Sequence, residues 1–161
     1  MSFSVSATDS WGVHYMADVQ TETVIWDFLR ALEAADVDRA ATSLAGDAVW
    51  VTPDGTFRGK EQLRAYLGRL FRRAKHMRMV ECGNGMMVQA NRAFVEHVVA
   101  GTIGSARAEY LTLSAWELKD GKIKGIRTVY DRLSLAKQVA KGWLAKWLVD
   151  LLIGRTERGS Q

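Results

Sequence analysis

His97 is the residue in this chain best suited to proton chemistry. It sits mid-strand in A-F-V-E-H-V-V-A, with Val95 and Val99 two residues to either side, so the three share one strand face. Imidazole is the side chain most easily tuned to act as acid or base near neutral pH. The same position also suits a core histidine satisfied by one hydrogen bond. Tyr130 and Asp131 close the segment K-I-K-G-I-R-T-V-Y-D. A phenol there can donate to a ligand oxygen, and a carboxylate can hold a proton. Asp131 also suits, and suits better, the cap of a helix before Leu133. The hydroxyls of Thr52, Ser114 and Thr128 can orient a substrate or a water. Trp26, Phe28, Trp50 and Trp116 can supply the apolar wall of a small-molecule site, or can be plain core.

Other chemistries find little footing. His14, His76 and His97 are too scattered for a ligand motif, so no metal is expected. The G-N-G at 83–85 falls inside a strand pattern and is no phosphate loop, so no cofactor is expected either. Cys82 is the only cysteine, which rules out an intrachain disulfide and reads as a small buried residue of an apolar strand. The net charge of +4 comes from 22 Lys and Arg dispersed among 18 Asp and Glu. Arg69, Arg72, Arg73, Lys75 and Arg78 cluster at the end of a helix and read as a solvated face, so no nucleic acid is expected as partner.

The elements that must position these residues follow from periodicity. Residues 1–20 form a polar N-terminal extension whose Trp11, His14 and Tyr15 should dock on the domain. A helix is expected from Glu22, capped by Thr21 or Thr23, with Val24, Ile25, Phe28, Leu29 and Leu32 as its apolar stripe. Asp36 should cap a short helix over Val37–Ala45. Ala48–Thr52 reads as a strand, Pro53-Asp54-Gly55 as a turn, and Gly59–Arg73 as a third helix with Leu63, Tyr66, Leu67, Leu70 and Phe71 inward. Four long strands follow: His76–Gln89 with a bulge at 83–85, Ala93–Ile103, Ala106–Leu118 and Lys122–Asp131. Their short turns predict an antiparallel meander, and helices before strands give an α+β class. In Ala106–Leu118 the alternation puts Tyr110, Thr112, Ser114 and Trp116 on one face and Leu111, Leu113 and Ala115 on the other. Glu96 and Glu109 fall on the outer face and are poor catalytic candidates. A last helix is expected over Ser134–Ile153, kinked near Gly142, with Trp143, Leu144, Trp147, Leu148, Leu151 and Leu152 along one side. It can pack over the domain or its mate. It can also lie on a membrane surface, though Asp150 and its short length weigh against that.

Two stretches carry a family resemblance. FLRALEAADVDRAATSLAGDAVWVTPDGTFRGKEQLRAYL has the helix, short helix, strand and third-helix order of the NTF2-like superfamily, and WELKDGKIKGIRTVYDRLSLAKQ resembles a SnoaL-like ending. Residues 21–139 are similar to this group, which includes ketosteroid isomerases, limonene-epoxide hydrolases and SnoaL-type polyketide cyclases. The resemblance implies a cone in which three N-terminal helices pack in a curved antiparallel sheet, followed here by a C-terminal amphipathic helix and tail at 140–161. It also implies a pocket for a small hydrophobic molecule such as a polyketide, terpenoid or steroid-like compound.

The resemblance also shows what is missing. The base Asp of the ketosteroid isomerases falls on Thr52, their first-helix Tyr on Phe28, and their protonated Asp on Ser114. The Arg-x-Asp pair of the epoxide hydrolases falls on His97 and Val99, and their remaining Asp on Thr128; Arg127 is kept but alternates outward. A slipped register would offer Asp131 instead. Hydroxyls cannot hold a proton unaided. The expectation is therefore either an enzyme using His97 as acid/base with Tyr130 assisting, or a non-catalytic ligand-binding module. The aliphatic outer face of the sheet needs cover, which points to a homodimer. No signal peptide or membrane span is read, and a cytoplasmic location is expected.

Overall fold

The computed structural model describes residues 8–140, and for 8–15 and Ala17 the backbone alone. The side chains of Trp11, His14 and Tyr15, and residues 141–153 of the expected last helix, thus lie outside the described residues. Helix α1 spans Thr8–Glu33, so it begins well before Glu22. Its apolar stripe starts only where the core starts, yet no proline interrupts the preceding turns, and the helical ladder continues through them. Thr21 and Thr23 are therefore not caps. The Thr21 hydroxyl is buried and donates to the Ala90 carbonyl at 2.7 Å; that of Thr23 donates back to Val19 at 2.8 Å.

Asp36 caps α2 (Val37–Ser43), accepting from the Arg39 amide at 2.9 Å. The helix stops two residues early because Leu44 already enters strand β1 (Leu44–Thr52). Pro53 and Asp54 turn the chain into β2 (Gly55–Arg58), a strand too short to read from alternation. Helix α3 (Gly59–Arg73) has the expected bounds, with Leu63, Tyr66, Leu67 and Phe71 buried and Leu70 partly so. The long strands are β3 (Ala74–Gln89), β4 (Arg92–Ile103), β5 (Ala106–Lys119) and β6 (Lys122–Tyr130). Register shifts between Glu81 and Met86, where Gly83 and Gly85 take φ of +55° and +60°, mark the expected bulge. Cys82 beside it is half-buried, not fully buried, because the bulge turns this stretch toward solvent. Asp131 caps α4 (Arg132–Val139), accepting from the amides of Leu133 and Ser134 at 2.9 and 3.1 Å. Gln138 of α4 exchanges two 2.8 Å hydrogen bonds with the Glu109 backbone, so it pairs with β5 as a strand residue would.

The six strands form one sheet in the order β2-β1-β6-β5-β4-β3. The meander β3–β6 is antiparallel as expected, but β1 runs parallel to β6, with Trp50 opposite Ile126. The sheet is thus mixed, because the chain passes through α3 and four strands before returning beside β1, and such a long crossover permits parallel pairing. Its concave face holds α1 and α3, and the whole is an α+β cone of the expected kind. The outer face exposes Val80, Leu111 and Val129, at 57, 49 and 58%. Inside, Phe28 is fully buried and meets Trp50 and Trp116 edge-on, with ring centroids 5.6 and 5.7 Å away.

Phe28→Ala should cost about 3–5 kcal/mol, the usual range for emptying a close-packed aromatic site. The midpoint of urea unfolding measures it. A loss below about 1 kcal/mol would mean that the two indoles close over the gap.

Candidate functional site

Between α1, α3 and the concave face lies a cavity of about 80 Å³. Leu29 and Leu32 come from α1, Tyr66 and Leu70 from α3, Met77 and Met79 from β3, and Val99 from β4. Trp50, Thr52, His97, Ser114, Trp116, Thr128 and Tyr130 all line it, so most of the expected site residues are brought together. Three are not. Phe28 is core, Trp26 is half-buried beside a separate recess with Arg30 and Glu33, and Asp131 caps α4 at the surface. A larger groove of about 610 Å³ runs along the outer face, edged by exposed Arg92, Glu117 and Arg127. It contains no buried titratable group and is not where acid–base chemistry can be placed.

The expected hydroxyls already have partners. Trp50 donates its indole N–H to Thr128 Oγ1 at 2.9 Å, and Trp116 donates to Ser114 Oγ at 2.8 Å. Thr52 Oγ1 accepts from the Asp54 amide at 3.0 Å and so shapes the turn. Buried indoles seek acceptors, so these hydroxyls are tied to the wall they line. His97 Nδ1 and Thr112 Oγ1 differ: both are buried, and neither has a hydrogen-bond partner among the described residues. His97 and Thr112 are 5 and 3% exposed, and they are directly opposite each other across β4 and β5. Buried polar groups are rarely left unpaired, because each loses its hydrogen bonds to water without replacement.

Thr112 is in turn opposite Tyr130 across β5 and β6. The Tyr130 hydroxyl donates to Asp54 Oδ2 at 2.9 Å, and the Tyr110 ring lies 5.2 Å from that of Tyr130. One polar row, His97–Thr112–Tyr130–Asp54, thus crosses the concave face. Burial holds the His97 imidazole below its ordinary 6.5, so it is neutral at pH 7. Burial pushes the Tyr110 phenol up to about 12 and raises Tyr130 further, helped by its bond to Asp54. Burial also raises Tyr66, against an opposing pull from the Thr52 hydroxyl. All three phenols therefore stay protonated.

Sequence reasoning placed Thr112 and Tyr110 on this face without giving them a role, and placed Tyr66 in the core. It read Asp54 only as a turn residue. The one available signal was the P-D-G turn itself, which sets a carboxylate two residues beyond Thr52 at the open end of the sheet. Among the described residues no three His, Cys, Asp or Glu gather as metal ligands. No described helix is long and apolar enough to cross a membrane.

Residues 25–126 match the family of SnoaL-like domains. No curated protein is similar enough in sequence to match the chain. Among solved structures, a limonene-epoxide-hydrolase-like epoxide hydrolase of M. tuberculosis has 22% identity and a TM-score of 0.65, over 85% of this chain and 98% of that one. A candidate polyketide cyclase from Silicibacter sp. TM1040 has 24% identity and a TM-score of 0.66, over 75 and 96%. A protein of ketosteroid isomerase-like fold from Catenulispora acidiphila has 17% identity and a TM-score of 0.68, over 77 and 95%. Identities this low show a shared fold and not a shared reaction. With the match covering most of the chain and the cone observed, this protein belongs to the SnoaL-like domain family, within the NTF2-like fold.

Proposed function

We propose that the cavity binds a small, mainly apolar molecule through one oxygen, and that neutral His97 is the acid/base group acting on it. The observation that carries this reading is the unpartnered pair His97 Nδ1 and Thr112 Oγ1, buried side by side on the cavity face. A ligand oxygen lodged there would satisfy both. With one ring nitrogen donating to the oxygen, the other nitrogen of the neutral imidazole is the one free to take a proton α to a carbonyl, while the Thr112 hydroxyl also donates to the oxygen on which charge collects. Return of the proton to carbon restores the imidazole. Isomerases and cyclases share such a step.

Size limits the ligand. An apolar cavity of about 150 Å³ takes up benzene, and this one measures about 80 Å³. A polyketide or steroid would have to displace side chains, and unbranched Met77 and Met79 are the wall elements best able to move. The second reading, a pocket that binds without turnover, is favoured by Thr52, Ser114 and Thr128 standing where the enzymes of the group keep carboxylates. On either reading the ligand is a small hydrophobic molecule.

Acetone and cyclopentanone titrated in D2O separate the two readings. NMR should show binding that weakens about tenfold in His97→Gln, the loss of one buried hydrogen bond to an ionisable partner. Deuterium exchange at the α-carbon, accelerated by the wild type and abolished in His97→Gln, supports the enzyme. Binding without exchange supports the module, and equal binding by both proteins rejects the role of His97.

His97 also sets a pH dependence of stability. Its folded pKa lies below the unfolded value of about 6.5, so as pH falls through that value the unfolded chain takes up the proton first. Thermal melts should show a stabilising contribution that is complete above about pH 6.5 and lost below it. His97→Gln should flatten that slope, and an unchanged slope would place the titration elsewhere.

We also propose that the outer face, with its exposed Val80, Leu111 and Val129, packs against a second copy of the chain. Sedimentation at micromolar concentration should return a dimer, and a monomer would overturn this.

A further inference from the structure

We propose that Asp54 and Tyr130 form a second recognition pole, so that the ligand carries two polar groups: an oxygen at His97–Thr112 and a hydrogen-bond donor, hydroxyl or ammonium, at Asp54. This deepens the cavity reading and rests on it. The two poles belong to one cross-strand row. His97 is opposite Thr112, and Thr112 is opposite Tyr130. Two strand spacings put the backbones of His97 and Tyr130 about 10 Å apart.

The poles make different demands. Thr112 can donate or accept at the buried end, so an oxygen satisfies it. At the open end the Tyr130 hydroxyl is already donating to Asp54 Oδ2 at 2.9 Å. What this end offers a newcomer is acceptors: the carboxylate oxygens and the lone pairs of the phenol. The group it takes must therefore bring the proton. Arg132 is the competing donor. Its Nη2 lies 4.0 Å from Asp54 Oδ1, while its Nη1 donates to the Pro53 carbonyl at 3.0 Å. Both side chains are substantially exposed, at 63 and 42%, and a pair so placed is held weakly enough to be displaced. Asp54 is exposed at the mouth of the same cavity, so a second group can reach it from solvent while the buried end keeps its size limit. The rings of Tyr110 and Tyr130, in contact at 5.2 Å between centroids, line that path on its sheet side and suit a methylene chain or an ammonium laid over them.

The test titrates the full chain with straight-chain alcohols, α,ω-diols and α,ω-amino alcohols of increasing length, read by NMR shifts. The diols or amino alcohols should exceed the simple alcohols by about tenfold at one chain length, as expected for one charge-assisted hydrogen bond. Preference for the diols alone assigns a hydroxyl, and preference for the amino alcohols an ammonium that weakens with added salt. Asp54→Asn should erase the preference, so that diols and amino alcohols bind that variant no better than simple alcohols do, and Arg132→Ala should increase it. His97→Gln should weaken every series alike. If simple alcohols bind in a His97-dependent way but the second group gains nothing at any length, or if Asp54→Asn keeps the gain, the second pole falls and the cavity reading stands. If no series binds the wild type, both fall.

Discussion

The structure depends on how two indoles are seated. Trp50 and Trp116 come from strands on either side of β6, and Phe28 enters edge-on between them from α1. An indole is large and apolar but carries one N–H that must be met when buried. Thr128 meets that of Trp50 and Ser114 that of Trp116. The aromatic group locks the helix to the sheet, and its two indoles form part of the cavity wall. It also takes up hydroxyls that would otherwise be free to hold a ligand.

That arrangement changes how the missing carboxylates are read. At the positions where the sequence resemblance implies proton-handling groups, this chain has Thr52, Ser114 and Thr128, and the structure gives each a local task. Polar capacity has moved along the sheet to His97 and Thr112 in the interior and to Tyr130 with Asp54 at the mouth. The interior pair is the more consequential, since an unpaired polar atom costs most where water is excluded. Burial also selects the protonation state: the same desolvation keeps the imidazole neutral and the phenols protonated.

The links between helices and sheet concentrate on a few backbone groups. The Ala90 peptide, in a left-handed turn at φ +54°, is held by α1 from both sides: Asp18 accepts from its N–H at 2.5 Å and Thr21 donates to its carbonyl. Glu33 accepts from the Met79 amide at 2.6 Å at the other end of α1. Such ties set the height of the helix over the concave face, and so the spacing between Leu29 and Leu32 on one wall and Met79 and His97 on the other.

Much of this was legible in the sequence, because local rules act locally. Alternation in β5 named the inward face, the G-N-G announced a bulge, Asp36 and Asp131 were recognisable as caps, and the apolar stripe of α3 gave its bounds. The family pattern supplied the cone. Tertiary structure decided what depends on partners distant in sequence. The parallel return of β6 beside β1 could not be read, since pairing direction is set by the whole path between them. Whether a hydroxyl is free is likewise decided elsewhere: Thr128 is committed by Trp50, 78 positions away, while Thr112 has no such neighbour. Asp54 reads as a turn residue in sequence and becomes part of the cavity only because Tyr130, 76 positions on, reaches it. Residue type and period determine which groups face inward; the sites those groups form are determined by which strands lie side by side.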